Sequence, residues 1–129
     1  MSPFELIPAI DLLDGKCVRL SQGRDDRVTV YGDDPSRVAA DFASHPLRRL
    51  HVVDLDGARA GEPCNREAVS AILREVGEVP VELGGGIRTL EGVEAWLELG
   101  IDRAILGTVA LRNPELVREA AARFPDRIG

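Results

Sequence analysis

Four short, unbroken apolar stretches, each followed by a segment with helical apolar spacing, constrain what this chain can become more than any other feature. The stretches cover residues 6–10, 50–55, 79–83 and 104–106. They are too short for helices and carry no polar alternation, which is the pattern of strands buried on both faces of a parallel sheet. The segments after them repeat apolar residues at helical spacing: Val38, Ala39, Phe42 and Ala43; then Val69, Ile72, Leu73 and Val76; then Leu116, Val117, Ala120, Ala121 and Phe124. Each such helix buries one face. Helix starts are marked by Asp34 before Pro35 and Asn113 before Pro114, an acceptor side chain followed by a proline at the first helical position. Asn65 and Thr89 read as similar caps.

Counting gives four β-then-α units, the first stretched by a polar loop over residues 21–34 with room for an extra hairpin at "RVTVYG". The regular spacing of the last three units favours a barrel over an open doubly wound sheet. The expected fold class is therefore α/β of the TIM-type (βα)8 barrel family, with residues 1–129 forming one (βα)4 half-barrel domain of parallel strands. A closed eight-unit barrel takes about 250 residues, roughly twice this length. The outer strands of a half barrel are open edges, so self-association as a homodimer or pairing with a second half barrel is expected.

Composition excludes several partners. The net charge of −6 and pI near 4.9 argue against a nucleic-acid or anionic-membrane surface, which needs a basic patch. No apolar run approaches the roughly 18 residues of a membrane span, and the first residues lack the basic n-region of a signal peptide, so a cytoplasmic protein is expected. Cys17 and Cys64 have no metal-ligand spacing and read as reduced thiols. No metal cluster, no Ser-His-Asp order and no lysine of the Walker type follows the glycines, and no metal or cofactor is expected.

In barrels of this class the chemistry sits at the C-terminal ends of the strands. The first strand ends in "PAIDLLDGK", which places Asp11 at the rim, as a base if its surroundings raise its pKa or as an ion-pair partner of Lys16 or Arg19. The second ends in "HVVDLDGA", where alternation puts Asp54 and Asp56 on one face, for catalysis or for loop capping. The third ends in Gly84, Gly85 and Gly86, ahead of a helix capped near Thr89. Bare backbone there lets N–H groups approach an anion such as phosphate at a helix start, although a tight turn without a ligand gives the same pattern. Gly107 and Thr108 follow the fourth strand and offer a second set of donors beside it. His45 and His51 lie next to a strand start, at the end opposite the chemistry, and read as surface or packing histidines. Trp96 reads as a packing residue.

The stretches "IPAIDLLDGKCVRL", "HVVDLDGARAGEPCN", "VPVELGGGIR" and "ILGTVALRNPELV", in this order, resemble the N-terminal half of the histidine-biosynthesis isomerases that act on phosphoribosylformimino-aminoimidazole carboxamide ribotide. The resemblance implies an Amadori rearrangement of an aminoaldose to an aminoketose, without metal or cofactor, on a ribonucleotide carrying two phosphates. It implies Asp11 as the general base that takes the proton from ribose C2, Arg19 as a substrate-holding loop residue, and Gly84, Gly85, Gly86, Gly107 and Thr108 as one of two phosphate sites. The family's general acid, an aspartate at the end of strand five, and its second phosphate site would lie beyond "DRIG". One copy of this sequence is thus expected to be weak or inactive alone, and a second copy or a second half to complete the site. The related cyclase half, a dual-substrate isomerase and a non-catalytic half-barrel scaffold are the alternative readings.

Overall fold

The computed structural model describes residues 8–20 and 28–129. Six strands form one sheet: β1 (Ala9–Leu13), β2 (Lys16–Leu20), β3 (Val28–Gly32), β4 (Leu50–Asp54), β5 (Val81–Gly84) and β6 (Arg103–Ile105). The helices are α1 (Pro35–Ala43), α2 (Leu55–Ala60), α3 (Arg66–Val76), α4 (Leu90–Leu99), α5 (Thr108–Arg112) and α6 (Pro114–Arg123). The spatial strand order is β3-β2-β1-β4-β5-β6. β1, β4, β5 and β6 run parallel, whereas β2 and β3 add to the β1 edge as antiparallel strands. The four parallel strands are the expected ones, with bounds moved by a few residues.

The first unit differs from expectation. β1 continues to Leu13 instead of ending at Ile10, because the turn at Asp14 and Gly15 folds Lys16–Leu20 back onto it, pairing Leu13 with Lys16 and Asp11 with Val18. The segment "RVTVYG" supplies β3, but its partner is β2, not a second strand within the same loop. Residues 21–27 of that polar loop, and residues 6 and 7 of the expected first strand, lie outside the described residues.

Strand residues alternate between two sides. Ile10, Leu12, Leu50, Val52, Val81, Leu83 and Ala104 are buried and pack with Ala39, Val69, Ile72, Val93, Trp96 and Ala120 of the helices. On the other, concave face of the parallel strands Asp11, His51, Val53, Glu82 and Ile105 are half-buried. Asp34, Thr89 and Asn113 cap α1, α4 and α6 by accepting from the N–H of Ser36, Gly92 and Leu116. Trp96 is fully buried, as a packing residue should be. Beyond α6, Ile128 pairs in parallel with Ala104 on the outer edge of β6, through Ala104 N–H to the Arg127 carbonyl and Gly129 N–H to the Ala104 carbonyl, both at 2.8 Å.

Candidate active site

The parallel registers draw one line across the concave face. Asp11 stands opposite Val53, Val53 opposite Gly84, and Gly84 opposite Ile105. Gly84 and Ile105 are the last residues of β5 and β6, so Asp11 sits at the level where those two strands end, one residue short of the end of β4, although its own strand runs two residues further. Its rim position therefore follows from its neighbours, not from the end of β1. Burial pushes the Asp11 carboxyl above the ordinary aspartate range, and the charge of His51 pulls it partly back. A partly desolvated carboxylate of this kind is a better base near neutral pH than an exposed one.

Above Asp11 the rim is built from acids and an amide. Asp54 is fully buried and accepts from Gly57 N–H at 2.9 Å, Cys64 N–H at 2.7 Å and Asn65 Nδ2 at 2.8 Å. Three donors satisfy it and cap α2, so its part is structural. Asp56 accepts from Asp14 N–H at 2.6 Å and from the same Asn65 Nδ2 at 2.7 Å. Strand alternation does not govern the pair, because β4 ends at Asp54 and Asp56 lies in α2. Asn65 stands at the N-cap position of α3, where its carbonyl accepts from Val69 N–H, but its side chain makes no cap bond; with φ of 48° it turns to join Asp54, Asp56 and, at 2.8 Å, Gly15 N–H. The sequence reading missed this hub, since an asparagine ahead of an apolar run has the signature of a cap.

The glycine loop follows. Gly84 is buried, ends β5 and packs near Ile105. Gly85 and Gly86 have φ of 114° and 74°, and a Cβ on either would collide with backbone, the Asp54 carbonyl for Gly85 and the Gly57 carbonyl for Gly86. Their bareness is thus required first by the seating of this loop on α2. Gly107 is different: it is exposed, and a Cβ there would meet nothing within 4 Å. Gly85, Gly86, Arg88 and Gly107 line a cavity of about 230 Å³ whose walls are completed by Ala58, Ile87, Ile105 and Val109. Thr108 is the first residue of α5, next to Gly107, and the N–H groups of a first helical turn have no partner within their helix. Gly84 does not line the cavity. Arg88, which the sequence reading passed over, also lines it, while its guanidinium lies against Gly61, outside the cavity wall, where a Cβ would stand 2.6 Å from Nη1. Its signal was its place directly after the glycines.

Arg19 lies in β2, opposite Thr29 of β3. His51 is the second residue of β4, beside the strand start as expected, and its half-buried ring places Nδ1 3.1 Å from Glu82 Oε2. Burial, followed by the charge of Asp34, pushes the Cys17 thiol up to about 11. Cys64 is likewise raised, by desolvation and by the charges of Asp54, Asp56 and Glu62. Both are thiols, not thiolates, at neutral pH. Among the described residues no group of three or more His, Cys, Asp or Glu is placed to hold a metal ion, and no helix is long and apolar enough to cross a membrane.

Parallel βα units with a carboxylate and a glycine-lined cavity at one rim define the chain as half of a (βα)8 barrel of the TIM class. The chain belongs to the histidine biosynthesis protein family, whose model matches residues 5–128. It is 59% identical over 123 residues to the 1-(5-phosphoribosyl)-5-((5-phosphoribosylamino)methylideneamino) imidazole-4-carboxamide isomerase of Acidiphilium cryptum, covering 95% of this chain and 50% of that protein. The proteins of the same name from Rhodopseudomonas palustris and Bradyrhizobium diazoefficiens are 57% and 55% identical, with 95% and 99% of this chain and 50% and 51% of theirs covered. The chain spans about half the length of these curated relatives.

Proposed function

We propose that this chain supplies the base and one phosphate grip of an aldose-to-ketose isomerase that acts on a ribonucleotide with two phosphates. The observation that carries the reading is the single cross-strand line that places Asp11 with Gly84 and Ile105, the latter a wall of the glycine cavity, on one face at one rim. The relatives' shared name, an isomerase of a molecule with two phosphoribosyl groups, supports the substrate class. In this reading one phosphate enters the cavity, held by backbone N–H groups around Gly86, Gly107 and Thr108, with Arg88 on the cavity wall. Asp11 takes the proton from C2 of the opened ribose, and Arg19 of β2 is the substrate-holding residue of this reading.

A general acid and a grip for the second phosphate come from a partner, either a second copy or a complementary half barrel. The parallel pairing of Ile128 outside β6 supports continuation of the sheet in that direction. A cytoplasmic location and the absence of nucleic-acid or membrane partners belong to the same reading, in keeping with the acidic charge. The test is turnover of the aminoaldose ribotide by this chain, alone and mixed with a complementary half. In whichever assembly is active, Asp11→Asn is expected to cost about 10²–10⁴ in rate. Unchanged turnover would leave a scaffold without catalysis.

A further inference from the structure

We infer that His51, held at Nδ1 by Glu82, is a positioning residue for the Asp11 carboxylate, presenting its imidazole to the acid across the β1–β4 pair. The inference rests on the reading of Asp11 as the base. The concave face carries two rows, an upper one of Asp11, Val53, Gly84 and Ile105 and a lower one of Ala9, His51, Glu82 and Arg103. Asp11 has Val53 beside it on β4, Val18 beside it on β2, and Ala9 beneath it on its own strand. None of the three can hydrogen-bond a carboxylate through its side chain. His51, one row down on β4, is a diagonal neighbour, as Lys16 is on the β2 side, and it is the one whose charge acts on Asp11.

The imidazole is not free to swing. Its Nδ1 lies 3.1 Å from Glu82 Oε2, and the other Glu82 oxygen lies 3.5 Å from Arg49 Nε. Arg49 Nη1 in turn reaches Asp102 Oδ2 at 3.0 Å. A carboxylate accepts only, so the ring carries its proton on Nδ1 when neutral, and Nε2 becomes a donor toward the Asp11 side only when the ring is protonated to the imidazolium. The other charged groups on elements beside β1 are Lys16 and Arg19 of β2 and Asp56 and Arg59 of α2, with Arg103 at the far end of the lower row; Asp54 is buried in its cap network. The two influences on Asp11 oppose each other, burial raising its titration and His51 lowering it. That balance suits a base that must be desolvated yet charged.

The test uses carbon-detected titration of the Asp11 carboxyl and nitrogen spectra of the His51 ring in this chain, with no substrate present, so it is independent of whether turnover is found. The Asp11 carbon is expected to show a second inflection that follows the His51 ring. In His51→Gln that inflection disappears and the Asp11 midpoint moves to higher pH. A superimposable Asp11 curve in folded His51→Gln would overturn the inference. Should that variant not fold, Glu82→Gln decides: the ring is expected to leave the Nδ1–H form, with the Asp11 inflection changing alongside, and an unchanged ring and curve would overturn it. In an active assembly His51→Gln should shift the acid limb of kcat/KM to higher pH and keep the plateau. A merely structural role would instead lower the whole profile.

Discussion

The two halves of the rim hold backbone in opposite ways. Over β1 and β4, side chains come to the backbone: the carboxylates of Asp54 and Asp56 and the amide of Asn65 take up the N–H groups of Asp14, Gly15, Gly57 and Cys64. Over β5 and β6 side chains are removed, and Gly85, Gly86 and Gly107 leave backbone facing a cavity. The first half spends its donors on itself, so it can position a base but has little left to grip a ligand. The second keeps its donors open. A two-ended anionic substrate belongs over the second half, with its reacting carbon toward the first.

The halves meet where Gly85 and Gly86 press on the Asp54 and Gly57 carbonyls, and breaking that seam is the most damaging change. Gly86→Ala forces a Cβ into the Gly57 carbonyl at φ of 74°. It should cost on the order of 3 kcal/mol in urea unfolding, from strain and overpacking together. A loss below about 1 kcal/mol would mean that the loop does not rest on α2. Next is Asp54→Ala, which strands the N–H groups of Gly57 and Cys64 and removes the α2 cap; about 2–3 kcal/mol is expected.

These two positions also mark how far the sequence was legible. The parallel βα order, the caps at Asp34, Thr89 and Asn113, and the packing of Trp96 were readable because each depends on neighbours three or four residues away or on a simple period. The acid-amide hub was not, since Asn65 meets Gly15 across 50 residues and its backbone is left-handed. Nor were β2 as a strand, the pairing of Glu82 with His51, or the reason for the double glycine, which is contact with Asp54 and Gly57 from another unit. The rim level of Asp11 was legible for an incomplete reason: strand registers set it, while its own strand continues into a hairpin.

A smaller effect of opposite sign is expected from Asp11→Asn. A carboxyl whose folded titration lies above its unfolded one is held against its charged form. Its penalty is absent below the unfolded value, grows as pH rises toward the folded one, and is fully present at neutral pH. Asp11→Asn should therefore stabilise the chain to urea at pH 7 and leave it unchanged near pH 3. A stabilisation that is the same at both values would assign the gain to packing, not to the desolvated charge.

The mildest substitution separates the halves most sharply. Gly107→Ala adds a methyl where nothing lies within 4 Å of the new Cβ. Stability should change by less than about 1 kcal/mol in either direction. If the bare backbone is there for a ligand, that same methyl stands over the mouth of the cavity. Inorganic phosphate, followed through the amide signals of Gly86 and Gly107 or its replacement, should then bind several-fold more weakly. Gly107→Val, with a bulkier obstruction, should weaken it further. Undiminished phosphate binding in both variants would show that Gly107 is not kept bare for an anion, and the open half of the rim would lose its best sign of a ligand.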